Sequence, residues 1–222
     1  MSLLAGLKGK GIKDRLLHPY DAFWDARLGI STFGFIPAVG DSNDAAWQGH
    51  YQPTPYRDIF SMLRHAGVGP GDVYVDLGCG LGRTVFAAHW LGAKRAVGVE
   101  IDHQLAAQCE HSAASHRRAS AGDPARVVKF VCAPAQTYSH RDTTAVFLFH
   151  PFGAGTLKEV VDALDAELTR RPRPLKVIYF NPVYDHVFEQ SRHFKRREHW
   201  PAERRRLTAS GEYAVTFWAA VG

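Results

Sequence analysis

From residue 73 onward, the hydrophobic positions fall into short continuous runs that alternate with amphipathic stretches of helical length. Strands are predicted at residues 73–78, 95–101, 127–133, 145–151 and 175–181. Continuous apolar runs are typical of strands whose two faces are both covered by helices, as in parallel sheets. The alternation of these runs with helical stretches predicts a doubly wound α/β sheet.

The stretches between the strands have the length and the end signals of helices. Helices are predicted at residues 83–92, 102–120 and 156–170. Asp102 is placed to cap the second of these, and Thr156 with Glu159 has the spacing of a capping box for the third. Right-handed crossovers then place the carboxyl ends of the parallel strands at one edge, where ligands bind in such sheets.

Two further candidate strands, at residues 193–200 and 212–221, close the chain. No helical stretch separates them, so we expect an antiparallel hairpin at the edge of the sheet.

The first 69 residues are aromatic-rich and irregular, and we expect them to form a lid or substrate segment packed on a core domain of residues 70–222. One helix is predicted near residues 13–27. A second is expected to be capped by Thr54 and ended by Gly67.

The strongest motif is the glycine-rich stretch VYVDLGCGLGR, residues 73–83. Gly78, Gly80 and Gly82 follow a strand and lead into a helix, so that a ligand can lie against bare backbone and free helix N–H groups. Glu100 ends the next strand, where a carboxylate can accept hydrogen bonds from two ribose hydroxyls. This order of strand, loop, helix, strand and carboxylate predicts a site for a nucleoside cofactor.

The spacing and charge of this loop discriminate between cofactors. The glycines follow G-x-G-x-G, whereas a nicotinamide or flavin site normally has G-x-G-x-x-G and receives a pyrophosphate. Asp76, two residues before the first glycine, would repel a pyrophosphate and suits a positively charged ligand. An aminoacyl, sulfonium-bearing nucleoside is therefore favoured, and an NAD(P)-dependent oxidoreductase is a less favoured alternative.

The segment VDLGCGLGR resembles motif I of the class I, Rossmann-like S-adenosylmethionine (SAM)-dependent methyltransferases, and VGVEID resembles their acidic second-strand motif. The resemblance covers roughly residues 70–220. It implies a mostly parallel seven-stranded sheet of order 3-2-1-4-5-7-6 with strand 7 antiparallel. It also implies SAM as cofactor and S-adenosylhomocysteine (SAH) as product.

The same resemblance implies a set of cofactor contacts. Asp76, Gly78 and Gly80 would hold the amino-acid part of SAM, Glu100 the ribose, and Ile101 would pack on the adenine. The Asp often found after the third strand is absent, so backbone groups or Gln136 are expected to hold the adenine amino group. The predicted cofactor-binding set is completed by Thr54, Cys79, Gly82, Arg83, Thr84, Ala133, Gln136 and His150.

The order Tyr-x-x-Thr, helix, DLGCGLGR, GVEI is similar to the layout of the non-SET histone lysine methyltransferases. Tyr51-Gln52 replaces the Tyr-Gly-Glu of that group, and its Asn-rich segment after the fourth strand is missing. The layout points to a protein lysine as methyl acceptor, with a small molecule as the open alternative.

Two predicted strands end in the same way, on a polar residue before proline: FLFHPFG at His150 and IYFNPVY at Asn181. Proline biases the preceding residue to extended geometry, which would fix the direction of both side chains. With Tyr51, they are the predicted catalytic residues. His150 is expected either to orient the acceptor or to take its proton near neutral pH.

The formal net charge of +5 lies entirely within residues 192–206, where seven basic and two acidic side chains fall. The arginines and lysines either protect an edge strand from pairing or bind an acidic partner or a nucleic acid. A SAM-binding or nucleic-acid-binding module without turnover is therefore the second alternative function.

The remaining composition argues for a simple intracellular chain. Cys79, Cys109 and Cys132 are far apart in sequence and predict neither a disulfide framework nor a metal site. The histidines of the predicted helix 102–120, His116 among them, are expected to be exposed or half-buried. No run approaches eighteen apolar residues and no secretory signal is visible, so a cytoplasmic location without membrane attachment is expected.

Overall fold

A computed structural model of the protein describes residues 19–33, 52–119, 126–202 and 213–221. These residues form a seven-stranded sheet in the order β3-β2-β1-β4-β5-β7-β6. Its strands are β1 (Val73–Leu77), β2 (Arg95–Glu100), β3 (Val127–Cys132), β4 (Ala145–Phe149), β5 (Lys176–Phe180), β6 (Phe194–Trp200) and β7 (Val215–Ala220). The strand β7 runs antiparallel to the other six strands. The predicted doubly wound sheet, its strand order and the terminal antiparallel pair are confirmed.

The helices of the described residues are α1 (Pro19–Leu28), α2 (Tyr56–His65), α3 (Arg83–Trp90), α4 (His103–Ala119), α5 (Ala154–Arg170) and α6 (His186–Glu189). The cap predicted for α4 is confirmed, because Oδ1 of Asp102 accepts the N–H groups of Gln104 and Leu105 at 2.7 and 3.0 Å. These bonds satisfy donors that the first helical turn leaves open.

Two other predicted caps are wrong. The N-cap of α2 is Pro55 rather than Thr54, and the N–H of Tyr56 is bonded instead by Oδ1 of Asp21 at 2.9 Å. The predicted capping box fails because α5 begins at Ala154, which places Thr156 inside the helix. In α2, a carboxylate from another helix satisfies the N–H that a local cap would have taken.

Helices cover both faces of the sheet. One hydrophobic cluster joins α1, α2, α3 and α4 to one face, and a second joins α5 and α6 to the other. In β4, Val146 belongs to the second cluster and Phe147 to the first, and both are at most 1% exposed. Burial on both faces explains why the sequence of β4 is continuously apolar.

The described part of residues 19–69 shares a hydrophobic cluster with the sheet. The Trp24 ring lies 4.5 Å from that of Phe60 and 5.7 Å from that of Trp90, measured between centroids. The division into an N-terminal segment and a domain of residues 70–222 stays a prediction.

One histidine of α4 is more deeply buried than expected. His116 is 1% exposed; its Nδ1 lies 2.7 Å from the Leu28 carbonyl and its Nε2 lies 2.9 Å from Nδ1 of His89. The expectation of an exposed or half-buried ring was wrong because α1 packs over this part of α4, a contact between segments far apart in the chain.

The edge strand β6 carries a bulge between Arg196 and Glu198. A bulge disrupts the regular ladder that an edge strand would offer to another chain. None of the helices in the described ranges combines the length and the apolar character needed to cross a lipid bilayer.

Candidate active site

The glycine loop after β1 is folded by residues with left-handed backbone. Gly78, Gly80 and Gly82 have φ values of 76°, 54° and 75°. A Cβ on Gly78 would lie 2.4 Å from Cβ of Pro151, and one on Gly82 would lie 2.6 Å from the Phe130 ring. Glycine is therefore required at both positions by close packing against the segment after β4 and against β3.

The Glu100 carboxylate ties this loop to the end of β2. Its Oε2 accepts the N–H of Gly80 at 2.8 Å, and its Oε1 accepts the N–H groups of Ile101 and Asp102 at 2.8 and 3.0 Å. Burial raises the pKa of Glu100, while the backbone N–H groups oppose that rise. The structure thus fixes a carboxylate at the strand end where the sequence predicts one.

Asp76 is a second buried acid at the same edge, with 3% of its surface exposed. It accepts a hydrogen bond from the Thr84 hydroxyl. Burial raises the pKa of Asp76 to about 7, the Thr84 bond opposes the rise, and the charge of Glu100 adds to it. A cationic ligand would offset the desolvation of these carboxylates, whereas a phosphate would be repelled.

The side chain of Cys79 faces the protein interior. Its thiol and that of Cys109 both lie against the Gly80 carbonyl oxygen, at 3.8 and 3.1 Å. Burial raises the pKa of the Cys79 thiol, as does the neighbouring Cys109. Two cysteines that are far apart in sequence are therefore neighbours, and the predicted cofactor role of Cys79 stays a prediction.

The Arg83 guanidinium contacts the N-terminal segment, including the backbone of Thr54. The Arg83 guanidinium is buried and donates to the Thr54 carbonyl at 3.0 Å and to the Thr32 hydroxyl at 2.7 Å. Because its side chain is occupied by the N-terminal segment, any cofactor contact of Arg83 would come from its backbone. The predicted cofactor roles of both residues stay predictions.

The residues predicted to surround an adenine lie together beyond β2 and β3. Ile101 is 64% exposed, a large apolar side chain left open to solvent next to Glu100. Ala133 donates its N–H to the Glu100 carbonyl at 3.0 Å, and Gln136 lies in the short 3-10 helix that follows. An exposed apolar side chain beside converging polar groups is typical of a ligand site.

His150 and Asn181 lie at equivalent places on neighbouring strands, since they directly follow Phe149 and Phe180, which pair in register. Their φ values are 40° and 52°, and within the described ranges they are the only non-glycine residues with positive φ. The predicted extended geometry is wrong at both positions. Proline disfavours the right-handed helical region for the residue before it, and Asn and His tolerate the left-handed region better than most.

The surroundings of His150 favour its neutral form. Its ring lies 5.3 Å from that of Tyr184, and burial lowers the pKa of its imidazole. The neutral imidazole, which can accept a proton, is therefore the dominant form at neutral pH. Asn181 is anchored by its N–H, which donates to the Ala214 carbonyl at 2.9 Å. Tyr51, the third predicted catalytic residue, lies outside the described residues.

The sequence did not single out Tyr213, which stands beside these strand ends. Its ring contacts those of Phe149 and Phe180 edge-on at 5.3 and 5.4 Å, and its hydroxyl lies 3.4 Å from Oε1 of Gln52. Gln52 is 161 positions away in the chain. An aromatic residue just before the terminal strand was the only available signal, and it gives no hint of this contact.

Comparison with known proteins finds relatives on two levels. The family model described as histone methylation protein DOT1 matches residues 48–122, less than half of the chain. A protein-lysine N-methyltransferase from Saccharolobus islandicus (strain REY15A) is 46% identical over 55 residues. This match covers 24% of the chain and only about a third, 34%, of that relative.

Solved structures resemble the chain over a larger share of its length. An RNA methyltransferase from Salinibacter ruber in complex with SAH has a TM-score of 0.53 at 23% identity, covering 76% of this chain and 94% of that one. A putative RNA methyltransferase from Pyrococcus horikoshii has a TM-score of 0.54 at 17% identity, covering 83% and 93%. The chain has the fold of the SAM-dependent methyltransferases. In this methyltransferase fold, the glycine loop, both buried acids and the His150–Asn181 pair share one sheet edge.

Proposed function

We propose that the protein is an enzyme that transfers a methyl group from SAM to a nitrogen or oxygen nucleophile. The observation that carries this proposal is the pair of buried acids, Asp76 and Glu100, on either side of a left-handed glycine loop. This arrangement repels a pyrophosphate and favours a ligand with a positive charge and hydroxyl donors.

The residues present fit SAM. The Asp76 carboxylate would pair with the ammonium group of its amino-acid part, and Glu100 would accept hydrogen bonds from its ribose hydroxyls. The exposed side chain of Ile101 offers an apolar surface for the adenine. SAM supplies the methyl group when bound and leaves as SAH.

A protein lysine is the acceptor that we favour. A lysine ammonium must lose a proton before its nitrogen can attack, and the neutral imidazole of His150 can accept that proton. The rings of Tyr184 and Tyr213 would stabilise a cationic amine by cation–π contact. The match to the histone methylation family and the lysine-modifying relative support this choice. A small-molecule amine or hydroxyl is the alternative.

Labelled SAM incubated with fractionated cell lysate tests the acceptor class. We expect the label to enter protein and to remain on lysine nitrogen after digestion and mass spectrometry. The matched control is a lysate whose lysines have been blocked by exhaustive acetylation, which should take up little label. Equal uptake by the blocked lysate, or label found only in small molecules, would contradict a lysine acceptor.

We further propose that residues 192–206 steer an acidic partner to the active site. Trp200, at the end of β6, pairs with Val215, which pairs with Phe180, so the connection from β6 to β7 begins and ends at the active-site edge. Lys195 and Arg197 are exposed on β6.

Salt dependence tests this steering. Neutralising Arg204, Arg205 and Arg206 should weaken binding of an acidic protein or nucleic acid and flatten its salt dependence. Tight, salt-sensitive nucleic-acid binding without any methyl transfer would favour the binding-module alternative. If the affinity depends neither on the salt concentration nor on these arginines, the result would support the simpler role of protecting an edge strand.

A further inference from the structure

A guanidinium group is buried where the N-terminal segment meets the glycine loop. Arg83 is the first residue of α3, directly follows Gly82, and is only 3% exposed. Arginine is rarely buried without partners, because its N–H donors must all be satisfied away from water. The contacts of Arg83 therefore show which parts of the chain its guanidinium joins.

These contacts reach two separate parts of the N-terminal segment. The Nε atom donates to the Thr32 hydroxyl at 2.7 Å, and Nη2 lies 3.5 Å from the Thr32 carbonyl oxygen. The Nη1 atom donates to the Thr54 carbonyl at 3.0 Å. Thr32 and Thr54 precede Arg83 by 51 and 29 positions, so one side chain fastens two stretches of the chain to the start of α3.

Two acids of α1 complete the cluster. Oδ2 of Asp21 and Oδ1 of Asp25 lie 3.2 and 3.8 Å from the guanidinium nitrogens. Asp25 is 1% exposed and also accepts the Thr32 N–H at 2.7 Å and the Tyr56 hydroxyl at 2.8 Å. Removing the guanidinium would leave the buried carboxylate of Asp25 and the half-buried carboxylate of Asp21 without their cation, which is strongly unfavourable.

The residues on both sides of Arg83, Gly82 and Thr84, belong to the candidate cofactor site. On one side, Gly82 donates its N–H to the Cys79 carbonyl at 2.8 Å. On the other side, the Thr84 hydroxyl donates to Asp76. A displacement of Arg83 would move both the last turn of the glycine loop and the hydrogen bond to the buried acid.

We propose that Arg83 is a positioning residue that couples attachment of the N-terminal segment to the shape of the cofactor loop. The cofactor and the attached segment then stabilise each other, since coupling between two binding events is reciprocal. The identity of the cofactor in this proposal rests on the proposed function.

Calorimetry with SAH on a set of variants tests the coupling. Arg83→Met should weaken SAH binding by roughly tenfold, a usual magnitude for coupling between sites. Arg83→Lys should fall between Arg83→Met and the wild type, because an ammonium keeps the charge but lacks the planar fork of donors. Arg173→Met is the matched control. Arg173 donates to the carbonyls of Thr143 and His140, before the start of β4, and its loss should leave SAH affinity unchanged.

Limited proteolysis supplies a second readout that lost stability alone would not move. Bound SAH should slow cleavage within residues 19–33 and 52–55 in the wild type and in Arg173→Met, but not in Arg83→Met. If Arg83→Met does not fold, Thr32→Val removes the Nε acceptor together with the bond from the Thr32 hydroxyl to Asp25. It keeps the bond from Arg83 to the Thr54 carbonyl and should therefore weaken SAH binding to a smaller extent.

The outcomes separate this inference from the proposed function. A folded Arg83→Met protein, or failing that Thr32→Val, with wild-type SAH affinity and wild-type protection by SAH overturns the coupling alone. A wild-type protein that binds no SAH overturns the proposed function, and the coupling with it.

Discussion

The active-site edge has two halves that are built in different ways. The cofactor half, at the ends of β1, β2 and β3, is held by backbone N–H groups that converge on Glu100 and by glycines that pack against protein atoms. The acceptor half, at the ends of β4 and β5, is held by the left-handed residues His150 and Asn181 and by aromatic rings.

The two halves differ in how far apart along the chain their contacting residues lie. In the cofactor half, the backbone contacts of Glu100 come from residues close to the ends of β1 and β2. The acceptor half instead joins Tyr213 to Gln52, which lie 161 positions apart in the chain. Left-handed backbone at non-glycine positions costs on the order of 1–3 kcal/mol and clusters at functional sites.

The two halves are in contact at Gly78, and a methyl group added there should disrupt the packing of both. In Gly78→Ala the new Cβ would meet Pro151 at 2.4 Å on a backbone with φ of 76°. We expect a loss of about 3 kcal/mol or more in the free energy of unfolding, from strain and overpacking together. Gly67→Ala is the control: its φ is 65°, but no atom lies within 4 Å, so the loss should be about 1 kcal/mol. Equal losses in urea unfolding would contradict this account of the loop.

Asp76 should lower the stability of the ligand-free protein, as expected of a residue kept for binding. Its pKa rises from 3.8 when unfolded to about 7 when folded, so the folded state holds an extra proton between these values. The free energy of unfolding then falls as pH rises through this window, by on the order of 4 kcal/mol in full.

The variant Asp76→Asn should lose this pH dependence and exceed the wild type in stability near pH 8. Urea unfolding at pH 5 and pH 8 measures both effects. A variant with the same pH slope as the wild type would show that another group is responsible.

In the acceptor half, His150 should determine how the reaction rate depends on pH. Since burial lowers its pKa, the acid limb of kcat/KM for the acceptor should fall below the ordinary histidine range. In His150→Asn that limb should disappear and kcat should drop roughly 100-fold, the lower range for loss of a general base. If the limb persists in the variant, His150 orients the acceptor without taking its proton.

The smallest expected effect concerns strain at the second left-handed position. Asn181→Gly removes the side chain but fits the φ of 52° better than asparagine does. The free energy of unfolding, measured by thermal denaturation, should therefore change by no more than about 1 kcal/mol in either direction. The KM for the acceptor should rise. A strongly destabilised variant would mean that the Asn181 side chain is structural.

The two halves also differ in how far the sequence predicts them. The cofactor half follows from local order: Glu100, Asp102 and the glycines occupy the predicted places because each is set by its own strand or turn. The acceptor half was predicted only in outline. The left-handed geometry of His150 contradicts the usual effect of a following proline, and the contact of Tyr213 depends on strand order rather than on neighbouring residues.

The same reasoning explains why the contacts of Arg83 were not predicted. In the sequence it stands inside the glycine motif, where a cofactor contact is the natural expectation. Its partners Asp21, Thr32 and Thr54 lie in the N-terminal segment. The packing of this segment against α3 cannot be predicted from the hydrophobic pattern of neighbouring residues. The failed cap at Thr54 has the same cause, because a carboxylate of α1 bonds the first N–H of α2.

Titration calorimetry at pH 7.5 with SAH and with NAD tests the central claim most directly. Wild type and Asp76→Asn should be compared with Asp72→Asn, the same change at the opposite end of β1, where Asp72 bonds Thr144 and Lys176. The account predicts SAH binding by the wild type and by Asp72→Asn, binding at least about tenfold weaker for Asp76→Asn, and no binding of NAD. Binding of NAD but not SAH, or equal SAH affinity in all three proteins, would contradict it.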